Sequence, residues 1–263
     1  SSSCSLAAAP LAERRKILIV TFSEAASISD FGDYVFRLYV PNNRQGVLLG
    51  DYAAATKKYK TAAIISADTA YGQDLSAAFS ARFSAAGGVS VEHETYAPEN
   101  RDFRSTLLKL RAKNPDVLLI AAYTPDGIAI YKSLADMLWK IPRLGASTLN
   151  TPDFYNALGA QADGTVFADM LDNTSQVFRD RWQRYFSEEF PGMQAGGSVL
   201  YDFAKLLALS LRGGSSPEEV IRFLYREEAY SGIAGPMAFD RSGDLKWQLT
   251  LFSRENGKTI AQP

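Results

Sequence analysis

The sequence predicts an α/β fold in which a parallel sheet carries helices on both faces. Short apolar runs alternate with amphipathic stretches through the middle of the chain. The alternation recurs in steps of about 25–30 residues, the length of a strand plus its crossover helix. Glycine pairs and Asn/Asp-rich turns punctuate the series. With 46% hydrophobic residues, the chain can bury a full core.

Strands are expected at 61–66, 89–96, 116–122, 143–148 and 164–168. Helices are expected at 72–86, 102–113, 125–139 and 151–158. Gly87-Gly88 ends the first, and Phe103, Leu107, Leu108 and Leu110 line one side of the second. Upstream lie an Ala-rich helix at 6–15 and strands at 17–21 and 34–39. Downstream come helices at 175–190, 195–211 and 217–225. The last opens on Ser216-Pro217-Glu218-Glu219: a cap, a first-turn proline, then acids at the positive helix end. The tail holds 237–239, a turn at 240–243 and a strand at 247–253.

Several chemistries are excluded or disfavoured. Basic and acidic residues number 28 and 29, for a net charge of −1, so nothing draws the chain toward nucleic acid. With one cysteine there is no intrachain disulfide. Lone Cys4 and lone His93 cannot supply a zinc site, and no metal or other cofactor is expected. Cys4 reads as a small buried residue, and His93 as a strand histidine without a catalytic partner. No Gly-x-Ser-x-Gly elbow is present, so an α/β enzyme would have to be built on His93 alone. No apolar run is long enough to span a bilayer, and no signal peptide is visible.

Ligands of open α/β sheets bind beyond the carboxyl ends of the strands. The loops there are Phe22-Ser23-Glu24-Ala25-Ala26-Ser27, Ala67-Asp68-Thr69-Ala70-Tyr71-Gly72, Tyr123-Thr124-Pro125-Asp126 and Ser147-Thr148-Leu149-Asn150. They are rich in hydroxyls and tyrosines and lack Cys and His. Hydroxyls and free N–H groups at helix starts suit a carboxylate, and tyrosines supply flat walls with a polar tip. The pattern suits recognition without turnover.

These residues resemble the type I periplasmic binding proteins of branched-chain amino acid ABC transporters. The resemblance rests on Ser2-Ser3-Cys4-Ser5 opening a helix, Ile17–Thr21 with Ser23-Glu24-Ala25, and Phe36-Arg37 followed by a helix start at Gln45-Gly46. It continues through Asp68-Thr69-Ala70-Tyr71-Gly72, Asp102-Phe103, Tyr201-Asp202, and Gly235-Pro236 with Phe239-Asp240 and Gly243-Asp244. It implies two Rossmann-like lobes joined by a three-segment hinge, with ligand clamped between them. Residues 1–42 and 171–248 would form the first lobe, and 43–170 with 249–263 the second. It implies a periplasmic or extracellular protein that binds a small molecule and delivers it to a membrane permease, or a sensory domain of the same fold. The family's first strands and helices have no counterpart here. The first lobe is therefore expected to be incomplete, through a cut chain or with a partner chain covering the gap.

The resemblance also implies site residues. Ser2, Ser23 and Ala25 fall where the family holds the ligand's carboxylate and ammonium groups. Tyr71, Tyr123 and Tyr201 fall on its aromatic positions. Ser147 stands where amino-acid-binding members carry an acid, and a buried ammonium without a carboxylate is costly. An aromatic or aliphatic carboxylate, an amide or another small polar solute therefore fits as well as an amino acid, for which Glu24 would be the counter-charge.

Overall fold

A computed structural model of the protein describes residues 2–98, 100–192, 197–226 and 229–262. The chain divides into two compact units. The larger comprises Pro41–Asp169 and Leu249–Pro263, and the smaller Ser1–Val40 and Met170–Gln248.

The larger unit is the expected α/β layer. In it β3 (Thr61–Ala67), β4 (Val89–Tyr96), β5 (Val117–Ala121), β6 (Arg143–Ala146) and β7 (Thr165–Met170) run parallel. Strands β10 (Leu249–Glu255) and β11 (Lys258–Ala261) complete seven strands in the order β11-β10-β7-β6-β5-β3-β4. Successive strand side chains point to opposite faces, and here each face has its own cover. Ala62 and Ile64 of β3, with Val117 and Leu119 of β5, pack against α2 (Asn42–Asp51) and α3 (Ala70–Ala85) through Leu49, Phe79 and Phe83. Ala63, Ile65, Leu118 and Ile120 pack on the other face against α4 (Arg104–Ala112), α5 (Thr124–Asp136) and α6 (Pro152–Leu158).

Helix α2 starts at Asn42, so Gln45 and Gly46 lie in its first turn, and a π-helical segment, Tyr52–Thr56, prolongs it. It approaches α3 so closely that a Cβ on Gly46 would lie 2.6 Å from the Leu75 carbonyl oxygen. Strand β11 pairs antiparallel with β10 across a tight turn in which Asn256 and Gly257 both have positive φ. Neither α2, which the sequence showed only as a helix start at Gln45-Gly46, nor β11 was expected in full.

The smaller unit has a parallel pair, β1 (Ile19–Thr21) and β2 (Val35–Arg37), and an antiparallel pair, β8 (Tyr230–Ser231) and β9 (Pro236–Met237). Its helices are α1 (Ser2–Arg15), α7 (Gln176–Phe186), α8 (Gly197–Ser210) and α9 (Pro217–Leu224). The expected start of the α8 helix, at residue 195, lies outside the described residues. Helix α9 has the anticipated cap: Ser216 and Glu219 bond each other's backbone N–H groups. Arg37 is its polar anchor, fully buried. Its Nε and Nη2 donate to the Asp244 carboxylate at 2.8 and 2.7 Å, and Nη1 to the Ala25 carbonyl at 2.6 Å.

Three expectations are corrected. Cys4 is exposed: α1 buries Ser2, Ala9 and Ala12, which share one helical face, and Cys4 lies off it. The strand predicted to reach residue 148 ends at Ala146, where Ser147–Leu149 turn into a 3₁₀ segment. The helix predicted to reach residue 190 ends at Phe186, because Ser187 takes a left-handed conformation with φ 58°.

Candidate functional site

In the larger unit the carboxyl ends of β3, β5 and β6 bring three of the candidate residues together. Thr69 caps α3 by accepting the Gly72 N–H. Gly72 must be glycine, since a Cβ there would lie 2.1 Å from the Ala67 carbonyl oxygen. That tight turn sets Tyr71, which is fully buried. Its ring stacks on Tyr123 with centroids 4.9 Å apart. Tyr123 precedes α5 and is only half-buried, so it is the exposed member of the pair.

Thr148 ties these loops together. Its Oγ1 donates to the Ala122 carbonyl at 2.8 Å and lies 2.6 Å from the Tyr71 hydroxyl. A threonine hydroxyl has one proton. With that proton on the carbonyl, Tyr71 donates to Thr148. Thr124 Oγ1 in turn donates to the Thr148 carbonyl at 2.6 Å. The first turn of α2 braces the cluster from behind. Asn42 Nδ2 donates to the Tyr71 carbonyl at 2.7 Å, and Gln45 Oε1 accepts the Ser147 N–H at 3.0 Å. Asn42 and Gln45 are fully buried, and Ser147 nearly so.

Two buried carboxylates stand at this end of the sheet. Asp126, in the first turn of α5, accepts from the Tyr96 hydroxyl at 3.3 Å and pairs with Arg101 at 3.1 Å. Burial, with the Asp126 charge and hydrogen bond added to it, pushes the Tyr96 phenol well above its ordinary range. Asp169, at the end of β7, accepts from Asn150 Nδ2 at 2.8 Å.

In the smaller unit a chain of hydroxyls joins α1 to the loop after β1. Ser23 Oγ donates to Ser2 Oγ at 3.1 Å, the Ala25 N–H donates to Ser23 Oγ at 3.4 Å, and Ser5 and Thr21 are linked at 2.7 Å. Ser2, Ser23 and Ala25 are thus gathered into one buried cluster. Tyr201 has other company: its ring contacts are with Phe178, at 5.5 Å, and the Lys205 ammonium, in an aromatic groove between α7 and α8.

Sequence reasoning named the loops holding Thr148 and Asp126 but missed their roles, placed Gln45 only at a helix start, and missed Asn42. A hydroxyl directly after a strand was the available signal for Thr148. Nothing local marks Asn42 or Gln45, whose partners lie 29 and 102 residues away. His93 lies in β4 with its Nε2 2.8 Å from Ser66 Oγ, and burial lowers its pKa. Among the described residues no group of three or more His, Cys, Asp or Glu side chains is placed to hold a metal.

A family model described as "Periplasmic binding protein" matches residues 1–248. Leu/Ile/Val-binding protein homolog 3 of Brucella melitensis is 24% identical over 231 residues, which cover 86% of this chain and 62% of that protein. The chain thus spans about three-fifths of that relative's length. Among solved structures, a leucine-binding protein from Thermotoga maritima superposes with a TM-score of 0.88 at 20% identity, covering 100% of this chain and 77% of that one. An ABC transporter solute-binding protein from R. palustris, solved with benzoate, superposes with a TM-score of 0.87 at 20% identity, covering 99% and 74%. The match over nearly the whole chain shows that the protein belongs to the periplasmic binding protein family, in the type I group that includes the Leu/Ile/Val-binding proteins.

Proposed function

We propose that this chain is the solute-binding component of an ABC transporter, working in the periplasm or outside the cell and passing its ligand to a membrane permease. The ligand is a small polar or carboxylate-bearing compound, an amino acid or a relative of one. The observation that carries this reading is the strand-end cluster of the larger unit, where Tyr71, Tyr123 and Ser147 are locked together by Thr148, Asn42 and Gln45. A wall held by buried hydrogen bonds is preorganised, which lowers the ordering cost of binding. We assign ligand contact to Tyr123 and Ser147, with Tyr71 as the buried wall behind them. In the smaller unit we assign it to the Ser2–Ser23–Ala25 cluster and to Tyr201.

The ligand class follows from chemistry. Ser147 has no charge to offer an ammonium, and Asp126, the buried acid beside Tyr96, already pairs with Arg101. An amide meets this polarity with less desolvation than a bare ammonium, and a carboxylate can accept from the hydroxyls and free N–H groups of the strand-end loops. The related structure that holds benzoate shows that its fold takes an aromatic carboxylate. Turnover has no support, because the only histidine, His93, bonds a serine inside the sheet.

A thermal-shift screen of amino acids, aromatic acids and short amides tests the reading. A ligand at 100 times its dissociation constant stabilises by about 2.7 kcal/mol. Calorimetry on Tyr123→Ala and Tyr71→Ala should then show weaker binding for each. No stabilisation by any class, or unchanged affinity in both variants, overturns it.

A further inference from the structure

At the opposite end of the larger unit's sheet, below the starts of β6 and β7, lies a groove of about 790 Å³. That volume is in the range of small-molecule sites. Tyr52, Tyr59, Tyr131 and Trp139 form its walls, and Leu138, 80% exposed with φ 50°, stands at its edge.

The groove's polar groups are unbalanced. Lys57, Lys140 and Arg143 line it against one acid, Glu255, which already accepts from Ser253 Oγ at 2.7 Å. Among the described residues neither lysine forms an ion pair, although the Lys57 ammonium sits 5.6 Å above the Tyr52 ring. Arg143 stacks over Tyr131 and donates to the Gln161 and Asp163 carbonyls, yet its Nε is buried without a partner. The Trp139 indole N–H and the Tyr52 and Tyr59 hydroxyls also make no hydrogen bond among the described residues. Among the described lining residues three cations face one acid between aromatic walls.

We propose that this groove is a separate ligand site that takes a flat aromatic anion, its ring between Trp139 and the tyrosines and its acidic group on Lys57 and Lys140. Stacking and cation–π contacts suit the ring, and the unused donors suit the anionic oxygens. The site shares no residue with the strand-end cluster.

The test titrates the whole ¹⁵N-labelled chain with 2-naphthoate and follows the indole N–H signals of its three tryptophans, Trp139, Trp182 and Trp247. The Trp139 signal should move saturably. 2-Naphthamide, which has no charge, should bind at least about tenfold more weakly, and the double variant Lys57→Gln/Lys140→Gln should weaken naphthoate by about tenfold. Tyr123→Ala should leave the Trp139 titration unchanged, which separates this site from the strand-end cluster. A stationary Trp139 signal, movement of Trp182 alone, or equal binding of acid and amide overturns the proposal. So does a double variant that titrates like the parent.

Discussion

The two units solve the same problem by different means. The larger is nearly continuous in sequence, and apolar layers on both faces of its sheet hold it. The smaller is stitched from two stretches far apart in the chain, and its ties are directional. Arg37 bonds Asp244 across 207 residues, the Arg37 N–H meets the Gly243 carbonyl at 2.8 Å, and the Tyr34 hydroxyl donates to Glu218 at 2.8 Å. Apolar packing is non-directional and tolerates small slips, whereas a buried ion pair penalises every wrong register. The difference teaches that polar contacts here fix which distant segments pair, while apolar contacts supply bulk stability.

Four changes would break or sharpen that contrast. The largest effect is expected from Arg37→Met, which leaves Asp244 without its partner and should cost about 3–5 kcal/mol in urea unfolding. Amide exchange should then show protection lost in the smaller unit first; equal loss in β3 and β5 would erase the distinction. Thr148→Val keeps the shape but removes the hydroxyl that bonds the Ala122 carbonyl and the Tyr71 hydroxyl, for about 1–3 kcal/mol by thermal unfolding. If instead the larger unit leans on packing alone even at its loops, this variant will melt like the parent. Ser216→Ala removes the capping box of α9 and should cost about 1 kcal/mol in the same assay.

The smallest effect is a matter of pH. Burial lowers the His93 pKa in the folded chain, so the unfolded chain takes up the proton first as pH falls. This stability is complete above about pH 6.5, the unperturbed value, and erodes as pH falls from there toward the lower folded value. His93→Gln should flatten that part of the stability profile. A profile with the same slope in the variant would assign it to other groups.

Much of the larger unit was legible because its central strands, β3 and β5, are largely apolar runs and its helices carry ordinary caps, as at Thr69 and Thr151. Helix α2 was hard to read because Asn-Asn-Arg-Gln-Gly-Val-Leu-Leu-Gly-Asp holds two glycines, which weaken a helix in isolation. Its packing on α3 requires Gly46 and is tight at Gly50, so tertiary contact overrides local preference. Strand β11 is wholly exposed and shows no apolar alternation. Its one signal, Asn256-Gly257, is the dipeptide that favours a tight hairpin. At the candidate site the loops could be named from sequence, since strand ends locate them. The braces could not, because the amide of Asn42 or Gln45 has no sequence mark that points to a loop across the sheet.

Arg37 and Asp244 also set an order of events. A ribosome releases β1 and β2 long before the segment that carries Asp244, and the larger unit's parallel strands emerge in between. Domains tend to fold as units while synthesis proceeds. The guanidinium must therefore wait in water until the segment that carries Asp244 arrives, and the tie between the smaller unit's two stretches forms only then. A stalled or clipped product ending before Asp244 would keep five of the larger sheet's seven strands, yet leave the arginine that bonds the Ala25 carbonyl beside the Ser2–Ser23–Ala25 cluster without its carboxylate partner.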